Sequence, residues 1–261
     1  MSRITGRGAT GPMEVFQVST DTSLASLTGS RWDMSDGRQL VLVQNGGTAI
    51  VPGKLYQAPV AVGANHQNLV VAAYTAPSNN LPAQVTVTLG GTLVTANQYA
   101  GGYLVVVTAT GAGQTLKIAS HPAQSTTTGN VVVNLEDTPV TALDTTSTVS
   151  LVLNPYGSAN GTSVSTDGVV LASHTSLVQP VGVSLYAIAA STSTVAEYGF
   201  LVTKGVSTCL IHGTPAIGLD VGASASVDGA VDAYAVATGA RIGTAIITGV
   251  DTHYMPINVQ L

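Results

Sequence analysis

The sequence predicts an all-β fold, made of antiparallel sandwich or barrel-like domains with an extended N-terminal arm. Short β-branched segments follow one another between Gly, Pro and Asn, as in "AQVTVTLGG", "GYLVVVTATGAG" and "STVSLVLNPYG". Turns recur about every ten residues, too closely for the crossover helices of a parallel sheet. No window of about fifteen residues keeps the apolar spacing of a helix. These observations together favour antiparallel strands.

The strand segments differ in how their apolar residues are spaced. "QVTVTL" and "TVSLVL" alternate, which predicts one buried and one exposed face. "YLVVV" and "NVVVNL" are continuous apolar runs of the kind found in strands buried on both faces. "EYGFLVTKG", "STCLIHG", "AIITGV" and "MPINVQL" extend the series of strands to the C-terminus.

The chain divides into three regions by composition. Residues 1–37 are rich in Gly, Thr, Ser and Arg and contain few consecutive apolar positions, so we expect an arm that is disordered or lies along a neighbouring molecule. Residues 38–160 form a β domain. Residues 161–261 form a second β region or complete the same β unit. The Gly- and Ser-rich stretch at 156–168 predicts a long loop or a boundary.

The composition excludes several classes of function. Charged residues make up 8% of the chain, the net charge is -5, and no Lys/Arg cluster could follow a phosphate backbone, so we expect no nucleic-acid partner. No apolar run approaches the roughly 18 residues of a membrane helix, and no signal peptide is recognisable. Cys209 is the only cysteine and is expected to be a buried apolar residue. These features indicate a soluble protein made in a reducing compartment.

No motif in the sequence predicts catalysis. "GRGATG" at 6–11 has the spacing of a nucleotide-binding loop, but no strand precedes it and Pro12 follows it, so it is interpreted as a pliable tether. The histidines have no second ligand at close spacing and are expected at the surface or at strand ends: His66, His121, His174, His212 and His253. We therefore expect no catalytic residue, no metal and no cofactor.

Four longer segments resemble virion structural proteins of tailed bacteriophages, most closely the capsid decoration, or cement, proteins. They are "MSDGRQLVLVQNGGTAIVPGKLYQ", "YAGGYLVVVTATGAGQTLKIASHP", "LDTTSTVSLVLNPYG" and the C-terminal stretch from "IGLDVGASASV" to "PINVQL". The resemblance implies a β-rich, non-enzymatic protein that binds the outside of an icosahedral shell in many copies, often as trimers.

A virion role defines the expected partners. They are the major capsid protein and further copies of the chain itself, on the outer surface of a capsid assembled from protein made in the bacterial cytoplasm. A charge-poor surface suits subunits that lie side by side, because little repulsion opposes their association. The leading candidates for capsid contacts lie in the arm and at its end: Arg3, Arg7, Trp32 and Arg38.

Other functions stay open at the level of sequence. A tail or head-fibre component, or an adhesin-like carbohydrate-binding module, would stack sugars on exposed tyrosines, for which the candidates are Tyr74, Tyr99, Tyr103 and Tyr156. An ice-binding or solenoid protein would repeat the Thr-x-Thr motif at a fixed period. The chain has this motif at Thr86 and Thr88, but the motif does not recur at a fixed period. An enzyme would need a pocket with convergent polar groups.

Overall fold

The computed structural model describes residues 18–60, 64–78, 81–157, 168–176, 179–234 and 240–261. Its strands in chain order are β1 Arg31–Asp33, β2 Gln39–Gln44, β3 Leu55–Gln57, β4 Leu69–Thr75, β5 Gln84–Thr88, β6 Tyr103–Thr108, β7 Thr115–Ser120, β8 Asn130–Leu135, β9 Thr148–Val152, β10 Val170–Leu171, β11 Pro180–Ser184, β12 Tyr198–Leu210, β13 Asp220–Ala223, β14 Val231–Ala233, β15 Arg241–Ala245 and β16 Tyr254–Gln260. Short 3₁₀ helices lie at Thr22–Leu27 and Ala64–His66. The strands pair antiparallel, which confirms the all-β prediction.

The described chain separates into two compact units. Residues 60–154 form one, here called the barrel unit. Residues 18–59, 155–157 and the described residues from 168 onward form the other, here called the sheet unit. The barrel unit is therefore an insertion between β3 and β10 of the sheet unit.

The sheet unit contains a ten-stranded sheet centred on the long strand β12. The strand order is β10-β3-β11-β12-β16-β15-β13-β14, and β2 pairs with β12 and with β1. The first half of β12 pairs with β2 and the second half with β16, as shown by Phe200 opposite Leu42 and Thr208 opposite Pro256. Strands distant in sequence are therefore joined through β12.

Apolar side chains cover both faces of the sheet at β2. Leu40 and Leu42 belong to one buried cluster with Phe200 and Val202, while Val41 and Val43 point to the opposite face and join a second cluster. Successive residues of a strand point to opposite faces. The run "QLVLVQ" is thus a strand with no exposed apolar face.

The barrel unit is a closed six-stranded barrel in the order β4-β5-β8-β7-β6-β9. Closure comes from the short pairing of β4 with β9, in which Leu69 lies opposite Val149. Inward residues alternate with outward ones along β5 and β8, so that Val85, Val87 and Val133 fill the interior. The predicted alternation of "QVTVT" and "TVSLV" is confirmed.

The predicted burial of "YLVVV" and "NVVVNL" on both faces is wrong. Along β6, Leu104 and Val106 point into the barrel while Tyr103 and Val107 are exposed. The reason is the shape of the unit, because a closed barrel of one chain has an interior to fill but offers nothing to cover its outside. The outer face of β6 is apolar nonetheless.

The N-terminal region and the domain boundaries also differ from expectation. Residues 18–37, placed by the sequence in an extended arm, instead contain a 3₁₀ helix and β1, and Leu24 lies in the core of the sheet unit. Residues 38–59 do not group with the barrel strands, because β2 pairs with β12. Residues 1–17 lie outside the described residues.

Candidate functional site

The predicted contact residues Trp32 and Arg38 do not lie on a free arm: Trp32 is in β1, and Arg38 ends the turn that leads into β2. Trp32 packs edge-to-face on Phe200, with 5.0 Å between ring centroids. The Nε of Arg38 donates to a carboxylate oxygen of Asp36 at 2.7 Å. Both side chains therefore have partners within the sheet unit. Arg3 and Arg7 lie outside the described residues.

The first candidate interaction surface is on the outside of the barrel. It is formed by Val70 of β4, Tyr103, Val105 and Val107 of β6, and Val152 of β9, and is called here the barrel apolar face. Tyr103 lies directly opposite Val152 in the β6–β9 pair. Four of these side chains are 39–52% exposed, and Val105 is half-buried.

The outer side of β5 and β8, by contrast, is covered with amides and hydroxyls. Gln84 donates to Asn134 at 2.9 Å, and the Thr88 hydroxyl donates to Asn130 at 2.9 Å, both across the β5–β8 pair. These ladders hold polar groups in fixed positions along one side of the barrel. The outward side chains of β5 are therefore polar and those of β6 apolar, although Val105 lies between Ser150 of β9 and Thr115 of β7, and Thr86 lies opposite Val132 of β8.

A second apolar surface lies in the sheet unit, on two neighbouring loops. It consists of Ile217, Leu219, Ile246, Ile247 and Val250, which are 36–64% exposed, and is called here the loop apolar patch. The loops are joined by backbone hydrogen bonds from Gly218 to Ala245 at 2.8 Å, from Ala245 to Leu219 at 2.9 Å and from Gly249 to Pro215 at 2.7 Å. The exposed side chains are thus carried on a hydrogen-bonded framework.

Grouped apolar side chains of this kind are candidate interaction surfaces. Exposed apolar residues scattered singly need no explanation, but contiguous groups mark interfaces or aggregation sites. The ion pairs Arg38–Asp36, Lys117–Glu136 and Arg241–Asp220 are exposed, and pairs of this kind add little to stability. Few charges are available to keep copies of this chain apart.

The tyrosines proposed as sugar platforms do not gather in the structure. Tyr99 is buried in the barrel, Tyr74 is half-buried, and Tyr156 packs against Gly29 in the sheet unit. Only Tyr103 of the four is exposed. A cleft of about 410 Å³ in the sheet unit has the exposed Tyr254 on its wall, together with Val51, Pro52, Leu185, Ser184 and Thr208. Its Ser184 hydroxyl is already engaged with the Val51 carbonyl.

The histidines occupy two kinds of environment. His174 and His212 each place Nδ1 within 2.9 Å of a carboxylate, those of Asp228 and Asp232 respectively. His66 and His121 are only 0% and 3% exposed, so neither is a surface histidine, although His121 directly follows β7 and is a strand-end residue. The neighbouring residues in the sequence do not predict the burial of these two histidines, because their hydrogen-bond partners lie in distant loops.

The single cysteine fits the sequence interpretation. Cys209 is buried, and burial raises the pKa of its thiol to about 12, which keeps it protonated at neutral pH. Within the described ranges, His, Cys, Asp and Glu side chains form no group of three or more that could bind a metal. No helix in the described part of the chain has the length and hydropathy needed to cross a membrane.

Comparisons with protein-family models, with curated proteins and with solved structures found no match to this chain. The argument for function therefore depends on the chain's own surfaces.

Proposed function

We propose that this protein is a structural virion protein that decorates and stabilises the outside of a bacteriophage capsid. In this role it bridges copies of the major capsid protein and associates with itself, most simply as a trimer. It works without catalysis, metal or cofactor, on the outer surface of the particle.

The observation that carries the proposal is the barrel apolar face. Its central strand, "YLVVV", has the composition of a strand buried on both faces, yet in the single chain only one face is buried. A neighbouring subunit that covers Tyr103, Val105 and Val107 would complete the burial that the sequence implies. The loop apolar patch offers a second contact, and an array needs at least two per subunit.

The low charge supports the same proposal. Eight basic and thirteen acidic residues in 261 leave little electrostatic repulsion between copies. A stable contact buries about 1,000 Å² or more in total, or is repeated by symmetry. On a capsid, many weak contacts act together, so each one can be small. Arg3 and Arg7 remain candidates for contacts with the capsid protein.

A matched pair of substitutions tests the barrel apolar face. Val105→Lys places a charge at the centre of the proposed contact, and Thr86→Lys places the same charge on the polar side of the barrel, at an equally half-buried outward position. We expect Val105→Lys to weaken association with capsids by more than about tenfold, since an unpaired charge at an interface costs several kcal/mol. Thr86→Lys is expected to bind normally.

Binding is measured by co-sedimentation of the purified protein with phage capsids that lack it, after circular dichroism has shown that both variants fold. Decorated capsids should also withstand heat and low ionic strength better than bare ones. Equal binding by the two variants would remove the barrel apolar face from the interface. Absence of any association with capsids would overturn the decoration role.

A carbohydrate-binding fibre module is the second candidate, favoured by one observation. Tyr254 is 48% exposed and lies beside the cleft with the Thr208 side chain. Aromatic rings next to hydroxyl groups suit sugar binding. Glycan-array binding that is lost in Tyr254→Ala would support this function in place of decoration.

A further inference from the structure

A buried cluster of two histidines and one tyrosine joins the loops at one end of the barrel. His66 precedes β4, Tyr99 precedes β6 and His121 follows β7, at the end where β4 and β6 begin and β5 and β7 end. The Tyr99 ring lies 5.5 Å from the His66 ring and 5.9 Å from the His121 ring, centroid to centroid. All three residues are almost fully buried.

The hydrogen bonds of His121 allow only its neutral form. Its Nδ1 lies 2.9 Å from the carbonyl oxygen of Pro122, which can only accept, so Nδ1 carries the hydrogen. Its Nε2 lies 3.0 Å from the backbone nitrogen of Tyr99, whose N–H donates to it, so Nε2 must offer a lone pair. If Nε2 of His121 were protonated, its N–H and the Tyr99 N–H would be two donors facing each other, and the hydrogen bond between them would be lost.

His66 holds the other end of Tyr99. Its Nε2 donates to the carbonyl oxygen of Thr92 at 3.0 Å, and its Nδ1 accepts from the Tyr99 hydroxyl at 2.5 Å. Tyr99 is thus bound through its backbone N–H by one histidine and through its side chain by the other. Loss of either bond weakens the attachment of the turn at 97–102, which is also bonded to the barrel through the Asn97 N–H to the His121 carbonyl at 2.9 Å and the Gly101 N–H to the Ile118 carbonyl at 2.8 Å.

The surroundings do not compensate a charge on His121. The titratable groups that face it are His66 and Tyr99. The other ionisable groups of the barrel unit are bonded elsewhere, lie on its outside or lie at its other end. Lys117 pairs with Glu136, Asp137 accepts from the Lys117 backbone, and Asp144 accepts from Thr110 and Thr146. Tyr103 lies on an outward position of β6, and Tyr74 packs against the barrel core near the end of β4, away from His66 at its beginning. Burial, together with the nearby His66, lowers the pKa of His121 below 6.5, although the Pro122 carbonyl opposes this shift.

We propose that His121 is an acid-sensitive latch, whose protonation releases Tyr99 and opens this end of the barrel while the sheet unit stays folded. In the open form the imidazole takes up a proton at its ordinary pKa of about 6.5, and in the closed form it does so only at a lower pH. The latch is therefore fully stabilising above about pH 6.5 and weakens as the pH falls below that value.

Hydrogen exchange of the intact chain, followed by mass spectrometry at pH 7.5 and pH 5.0 and corrected for the chemical exchange rate, tests the latch. Peptides that cover 97–102 and 116–122 should show that these segments open about threefold to thirtyfold more often at pH 5.0 than at pH 7.5. The reason is that the imidazole of His121, once released, is mostly protonated at pH 5.0. Peptides from β12 and β16 should not change. Equal protection of the barrel peptides at both pH values would overturn the proposal.

Two variants assign the effect to one residue. His121→Gln keeps an acceptor for the Tyr99 N–H but cannot titrate, so its barrel peptides should exchange alike at both pH values. His253→Gln changes an exposed histidine of the sheet unit and should leave the wild-type difference intact. A pH effect that persists in folded His121→Gln would exclude His121 as the latch. If His121→Gln does not fold, the wild-type comparison decides.

Discussion

The barrel unit and the sheet unit differ in how completely their buried polar side chains are hydrogen-bonded. In the barrel, His66 has both ring nitrogens bonded and the Tyr99 hydroxyl has a partner. In the sheet unit, the amide of Gln44, the Oδ1 of Asn45 and the hydroxyl of Tyr198 are buried without a hydrogen-bond partner in the described part of the chain. Burial raises the pKa of the Tyr198 hydroxyl to about 12, which keeps it neutral.

This difference shows where hydrogen bonds contribute to stability and where they do not. A satisfied buried network is costly to break, because removal of one member leaves its partners unpaired. An unpaired buried group already costs free energy in the folded state, so its removal is neutral or favourable. Polar substitutions should therefore change stability with opposite signs at hydrogen-bonded and at unpaired buried groups.

The largest effect is expected from His66→Leu. This change removes the hydrogen bonds of His66 to the Tyr99 hydroxyl and to the Thr92 carbonyl, and each such loss costs about 1–3 kcal/mol. We expect the free energy of unfolding of the barrel to fall by on the order of 3 kcal/mol, measured by hydrogen exchange of the barrel strands in urea. A loss below about 1 kcal/mol would show that the network adds little.

A smaller loss is expected from Tyr99→Phe, which removes a single hydroxyl. The ring stays in place between the two histidines, and only Nδ1 of His66 loses its donor. The barrel should lose about 1–2 kcal/mol by the same measurement. A loss equal to that of His66→Leu would mean that the hydroxyl, not the imidazole, organises this end of the barrel.

The comparison is sharpest for two buried glutamines of the sheet unit. Gln44→Met removes an unpaired amide at nearly constant length, so we expect stability to rise by about 1 kcal/mol. Gln57→Met is the matched control: its amide oxygen accepts from the Ser173 backbone at 3.1 Å, so the same change should cost about 1–2 kcal/mol. Urea unfolding followed by Trp32 fluorescence measures both, since Trp32 is the only tryptophan and lies in the sheet unit. A change in stability of the same sign for Gln44→Met and Gln57→Met would contradict the comparison.

The smallest effect is expected from Tyr198→Phe. Its hydroxyl has no partner in the described chain, and its ring is fully buried. Removal of the oxygen should change the stability of the sheet unit by less than about 0.5 kcal/mol, or raise it. A loss of more than about 1 kcal/mol, detected by the same fluorescence, would reveal a bond to this hydroxyl.

Local patterns in the sequence predicted the class of fold because strand alternation and turn residues are local signals. "QVTVT" identified β5 with its buried face. Pairing between distant strands has no such signal, so the association of β2 with β12 and the resulting unit boundaries were missed. Residues 18–37 looked like an arm because their apolar residues are sparse, yet Leu24 and Trp32 are enough to fix them on the sheet unit.

The sequence indicated the candidate surfaces only in part. The run "YLVVV" carried the signal of a strand covered on both sides, but which side the chain itself would leave open depends on barrel closure. The loop apolar patch combines residues from two loops that meet only after β13 and β15 pair. His66 and His121 meet through Tyr99, and no spacing rule connects the three.

The insertion of the barrel between β3 and β10 makes it a replaceable module. Both points where the chain leaves and re-enters the sheet unit are fixed by hydrogen bonds of that unit: Ala58 donates to Gln179, and Tyr156 accepts from Gln44. Replacement of residues 60–154 by a short flexible linker should therefore leave the sheet unit able to fold. The same position could then carry a foreign domain, which would make this chain a scaffold for display.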